Sequence, residues 1–176
     1  MPNQDDEKRK EQLILLAALL AWFKSESEKL AQALRDGVIT LAAWLAGMRS
    51  LIKRLHTSAA LIAGEFEGGL VTARIQEQYE YLDGFASDIQ EKDEEELSLI
   101  AIIARAALYA APAWGTFELV IRNNAVREGE TEARLITMGD DRVCDLCLAV
   151  EARGWMPIED MPMDLHQGCR CDREYR

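Results

Sequence analysis

From Glu7 to Glu128 the apolar positions recur every three or four residues, with few of the strict alternations that mark strands. Leu16, Leu20, Phe23, Leu30 and Leu34 fall near one face of a first predicted helix over Glu7 to Leu34, which Asp36-Gly37 ends. Thr40 is placed to cap a second helix running to Gly64. Its Leu41, Trp44, Leu45, Met48, Leu51, Ile52 and Leu55 make one continuous stripe. Gly68-Gly69 reads as a further break. A more polar third helix is expected over Thr72 to Ile89, with Tyr79, Tyr81, Leu82 and Phe85.

The acidic run "EKDEEELSL" has a plain reading: carboxylates in a first turn, favoured by the positive end of a helix dipole. A strongly apolar fourth helix follows to about Tyr109. Pro112 either kinks it or opens a fifth helix reaching Arg127, because Pro is accepted in a first turn. Gly129 closes the helical region. Beyond it the pattern changes: "ARLITM" is strand-like, "GDD" is a turn, and the rest is rich in Pro, Gly, Asp and Cys. The fold class expected is mainly α, a multi-helix N-terminal bundle with a small C-terminal α+β zinc-knuckle module. The expected division is 1–129 for the helical domain and 130–176 for the Cys/His module. That tail is too short to supply a sufficient core alone, so a staple or docking onto the helices is expected.

Composition narrows the partners. The net charge of -11 and pI of about 4.7 disfavour generic binding to nucleic acid or to an anionic membrane. Leu13 to Phe23 is too short to span a bilayer and is followed by Lys24 and Glu26 rather than a cleavage site. "LSLIAIIARAALYAAPAWG" carries Arg105 in its middle and Pro112 near its end, so a buried helix is expected there, not a membrane span. A reducing cytoplasm is the expected compartment, with no secretion, and structural disulfides are uncommon there.

All four cysteines lie between Cys144 and Cys171, together with one of the two histidines. Cys144 and Cys147 form C-x2-C; His166, Cys169 and Cys171 form H-x2-C-x-C. Two ligand pairs on tight turns, joined by a returning spacer, suit a closed structural zinc site, since zinc takes thiolate and imidazole ligands tetrahedrally. Five candidates stand for four positions: Cys144, Cys147, His166, and one or both of Cys169 and Cys171. The other readings are a redox pair, a disulfide clasp, or unrelated buried thiols. A redox C-x2-C is expected beside a β-α-β unit rather than after helices. Arg142, Arg153, Arg170 and Arg173 would offset the thiolate charge. His56, alone in a helix, reads as a tolerated helix residue and not a ligand. No phosphate loop, dinucleotide fingerprint, H-E-x-x-H or G-x-S-x-G is present, and no catalytic residue is assigned. The alternative to a structural site is a zinc-dependent hydrolase or nuclease with an open metal, for which Glu159 and Asp164 are the nearby carboxylates.

"DDRVCDLC…GWMPIEDMP…HQGCRC" resembles the C-terminal end of the phage Mu F-like head morphogenesis family, the minor capsid or minor head proteins. The matching positions are Asp140 or Asp141, Cys144, Cys147, Pro162, His166, Cys169, Arg170 and Cys171, and Thr131-Glu132 sits where family members often carry a Thr-Glu pair. Gln167 stands where the family usually has proline, and the spacing from Met161 to Leu165 departs from the pattern. The resemblance covers about thirty residues. It implies a low-copy phage or prophage capsid component bound to portal and capsid proteins during head assembly. The location it implies is the virion interior, or the bacterial host cytoplasm during assembly.

Overall fold

A computed structural model describes residues 4–91, 99–137, 139, 143–163 and 171–176. Among these the protein is mainly α-helical, with a small antiparallel sheet near its C-terminus. Contacts divide the chain into Met1–Phe117 and Glu118–Arg176, a division that falls inside one helix. No helix among the described residues is long and apolar enough to cross a membrane.

In the first unit, α1 (Gln4–Arg35) packs on α2 (Leu41–Ala63) and α4 (Leu99–Leu108), and α2 also packs on α3 (Gly68–Glu91). The stripe of α1 that is buried consists of Gln12, Leu16, Phe23, Ser27 and Ala31, with Leu20, Leu30 and Leu34 half-covered. Three- and four-residue spacing thus keeps one seam facing the neighbours from Gln12 to Leu34. Gly47 of α2 lies tight against Leu30 of α1: a Cβ there would meet Leu30 Cδ1 at 3.0 Å. Trp44, fully buried on α2, meets the Phe85 ring edge-on at 5.9 Å between centroids.

The helix ends follow from local chemistry. Gly37 adopts φ 68°, which lets Val38 N–H reach back to Ala33 O at 2.9 Å and satisfy a terminal carbonyl of α1. Thr40 Oγ1 accepts the Ala43 N–H at 3.2 Å and caps α2. The far end of α2 is capped from a distance: buried Gln12 donates its amide to Ile62 O and Ala63 O at 2.9 and 3.2 Å. Gly68-Gly69 is not a break, because α3 begins at Gly68. First-turn N–H groups need no helical acceptor, so glycine costs little there, and Thr72 Oγ1 donates to Gly68 O at 2.8 Å. Pro112 opens a separate helix, α5 (Ala111–Glu128), instead of kinking α4. The acidic run at 92–97 lies outside the described residues.

The second unit begins within α5 and continues through β1 (Glu132–Ile136), α6 (Asp145–Glu151), β2 (Met156–Pro157), a 3-10 turn (Ile158–Asp160) and β3 (Asp172–Tyr175). The sheet order is β2-β1-β3, with both edges antiparallel to β1. Alternation along β1 buries Ala133 and Leu135 and turns Arg134 outward. The register sets Leu135 opposite Arg173 and Arg134 opposite Glu174. Two features depart from expectation. The residues after Cys144 form a helix, not merely a tight turn, and the spacer after Trp155 contains an edge strand. Pro157 is accepted there because an edge strand has one side without ladder bonds.

Candidate functional site

The core of the C-terminal unit is unusual in its sulfur content. Cys147, Cys171, Met156 and Met161 are buried with Ala133, Leu135, Val150 and Ile158, and Val143, Cys144 and Tyr175 pack against this cluster. Cys144 occupies the cap position of α6 with extended backbone, ψ 158°, and its Sγ accepts the Cys147 N–H at 3.4 Å. A thiol can take this place because a capping group needs only a lone pair aimed at the first-turn N–H groups. That Cys147 N–H, with further backbone N–H groups, holds the Cys144 thiol below its ordinary pKa, against the opposing effect of desolvation. At the other end of α6, Glu151 accepts from Thr137 N and Oγ1 at 2.7 and 2.9 Å, which ties the helix to the end of β1 and holds its carboxyl below the ordinary value.

Of the five candidate ligands, Cys144, Cys147 and Cys171 are described, and no disulfide joins any two of them. They come from the start of α6 and the approach to β3 into one cluster. His166 and Cys169 lie outside the described residues. Among the described residues no group of three or more His, Cys, Asp or Glu side chains is set to hold a metal. Of the carboxylates considered for an open metal, Glu159 is exposed on the 3-10 turn, and Asp164 lies outside the described residues.

Of the four arginines expected to offset thiolate charge, Arg153 and Arg173 are described. Arg173 is buried and directs its guanidinium to the buried carboxylate of Glu118, Nη1 to Oε2 at 3.3 Å. Its Nη2 also donates to Pro162 O and Met163 O at 2.9 and 2.7 Å. Arg153 is exposed past the end of α6, and Arg142 and Arg170 lie outside the described residues. Glu118 was not anticipated as a partner. The signal available was one carboxylate, in "WGTFELVI", within an otherwise apolar stretch.

On the outer face of the sheet the Trp155 ring lies between two guanidinium groups, Arg134 at 4.9 Å and Arg176 at 4.3 Å from its centroid. These in turn pair with Glu174 and Glu132. Each guanidinium over the ring is thus also matched to a carboxylate.

His56 is more than a tolerated helix residue. It is fully buried in the helical unit, with Nδ1 2.6 Å from Thr116 Oγ1, while Nε2 has no hydrogen-bond partner among the described residues. Burial, aided by the charge of Arg74, lowers its pKa to about 4, so the ring is neutral at pH 7.

Comparison with protein-family models, curated proteins and solved structures gives no match. The fold and the cysteine cluster define a helical protein with a small sulfur-bearing α+β unit.

Proposed function

We propose that this chain is a minor head protein of a phage or prophage, acting in capsid assembly at the portal, with a structural zinc ion in its C-terminal unit. The metal reading is supported by the burial of Cys147 and Cys171, from two distant segments, in one core that Cys144 packs against, its Sγ accepting a backbone N–H. Such N–H···S bonds stabilise thiolate, the form that binds zinc. Cys144, Cys147 and Cys171 would supply three donors, and His166 or Cys169 the fourth. When bound, zinc neutralises thiolate charge and adds binding free energy to the fold of a small unit. The role at the portal is supported by the residue pattern from Asp140 to Cys171, and the apolar helical stripes give the remaining chain a stable body.

Metal analysis of the purified protein, paired with a count of reactive thiols, tests the site: one zinc per chain is expected. Cys144→Ser should expose residues 130–176 to limited proteolysis while far-UV circular dichroism stays largely helical. An unaltered digestion pattern argues against the staple. Co-expression with a portal protein from the same phage or prophage should yield a complex that co-purifies. Separate elution of the two would sink the assembly role. A metal with a bound water and hydrolysis of a phosphodiester would favour the enzymatic reading instead.

A further inference from the structure

From Gln12 to Phe23 α1 carries no charged side chain. One stripe of this stretch faces into the fold, where Leu16 and Phe23 are buried. The opposite side is open to solvent and still apolar. Ile14 is 70% exposed and Leu15 48%, and Ala17, Ala18 and Ala21 are exposed beside them. Gln12 ties this part of α1 to the end of α2, where Leu61 is a further exposed apolar residue. A helix on the surface of a monomer carries polar residues on its outer side, whereas a helix apolar all round is a covered one. Charged residues begin on both sides of the stretch, and their order is symmetric. Lys10 pairs with Glu7 at 3.1 Å before it, and Lys29 with Glu26 at 2.6 Å after it. Counted from Ala18, Glu7 and Lys29 lie eleven residues away on either side, Lys8 and Glu28 ten, and Lys10 and Glu26 eight. Each charge is thus matched across Ala18 by its opposite.

We propose that this side of α1 is an interface between two copies of the chain, on which the α1 of the second copy lies antiparallel with the two-fold axis at Ala18. The inference is independent of the zinc and portal readings. A two-fold contact sets residue i of one copy opposite residue j of the other, and j opposite i. With the axis at Ala18, Glu7 meets Lys29 of the partner subunit, and Lys10 meets Glu26 of the partner subunit. A parallel pair would instead set each charge against its like. Burial of the apolar side supplies the affinity. The exposed alanines let two helix axes approach toward about 8 Å, the close end of the range for packed helices. Exposed ion pairs add little to that affinity. Their effect is on direction and register, because like charges set together penalise the other alignments. A second copy fits this surface better than an unrelated partner, since both halves of the charge pattern are already present in one helix.

The test uses the full-length chain, whose mass is followed by sedimentation velocity up to about 100 µM, with far-UV circular dichroism on every variant. The wild type should be a dimer that dissociates on dilution. Ala18→Glu sets two carboxylates against each other at the axis and should give a monomer of unchanged helicity, because residue 18 is exposed in the single chain. Glu7→Lys and Lys29→Glu should each weaken the dimer about threefold to tenfold. The double variant should recover most of that loss, because the pair is re-formed with its signs exchanged. A wild-type chain that stays monomeric at about 100 µM overturns the inference and leaves the surface to a different protein or to another part of this chain. A dimer that persists in Ala18→Glu overturns it as well, since the contact then lies elsewhere. A double variant no stronger than the single ones overturns the antiparallel pairing, and with it the proposal. Where Ala18→Glu loses helicity, the charge-exchange set decides by itself.

Discussion

In residues 1–117 buried polar side chains are largely neutral: Gln12 on the end of α2, Ser27 on Lys24 O, His56 against Thr116. In residues 118–176 the buried polar groups are the opposite charges of Glu118 and Arg173, set in a core where four of eight members carry sulfur. The helical unit has enough apolar surface that polar groups only finish helix ends and fill gaps. The C-terminal unit has short elements and few large hydrophobic side chains, so specific pairing must do what bulk does elsewhere. Losing one partner is therefore expected to be more disruptive, relative to total stability, in the small unit than in the large one.

The comparison can be broken most directly by paired variants. Arg173→Met removes the guanidinium paired with buried Glu118 and should cost about 3–5 kcal/mol. Trp44→Ala, which empties a fully buried site against Phe85, should cost a similar ~3–5 kcal/mol. The two should differ in location: amide exchange should rise in β1 for the first and in α2 and α3 for the second. If each variant loosened both regions equally, the independence of the two cores would be refuted.

Acidification discriminates next. The folded pKa of His56, about 4, lies below the value of about 6.5 expected of an unfolded chain, so the unfolded state binds more protons between these values. Stability contributed by the neutral ring is complete above pH 6.5 and declines as pH falls toward 4, by roughly 3 kcal/mol. Denaturant unfolding of the helical unit should show that slope, and His56→Gln should flatten it. A slope that persists in the variant would assign it to other groups. The smallest effect expected is that of Thr40→Ala, about 1 kcal/mol, from loss of the Ala43 N–H acceptor, measured by thermal melting.

The same contrast explains what was readable in the sequence. Helix periodicity named Trp44, Met48, Leu51, Ile52 and Leu55 as a stripe, and all five are buried, because a helix face is a local property of its own residues. Gly37 and Gly129 as stops were legible for the same reason. The strand at "ARLITM" was visible from its strand-like content, but its pairing with β3 was not: β1 pairs there with residues some forty positions later, and no local pattern specifies that. Nor did spacing reveal that Cys144 begins a helix, since C-x2-C is compatible with both turn and cap. The Glu118–Arg173 pair was hidden because charge in a sequence says nothing of which cations are covered. For the candidate ligands, the grouping of Cys144, Cys147 and Cys171 is visible in the fold, while His166 and Cys169 were named by spacing alone.

The sheet order carries a consequence for the way the chain is made. β1, the central strand, is synthesised before either strand that will flank it, so both of its edges wait unpaired while α6, β2 and β3 emerge. Exposed edges of that kind are templates for another chain, and many copies translated from one message would wait side by side. Exchange of β3 between two nascent chains would satisfy the same ladder as the native pairing.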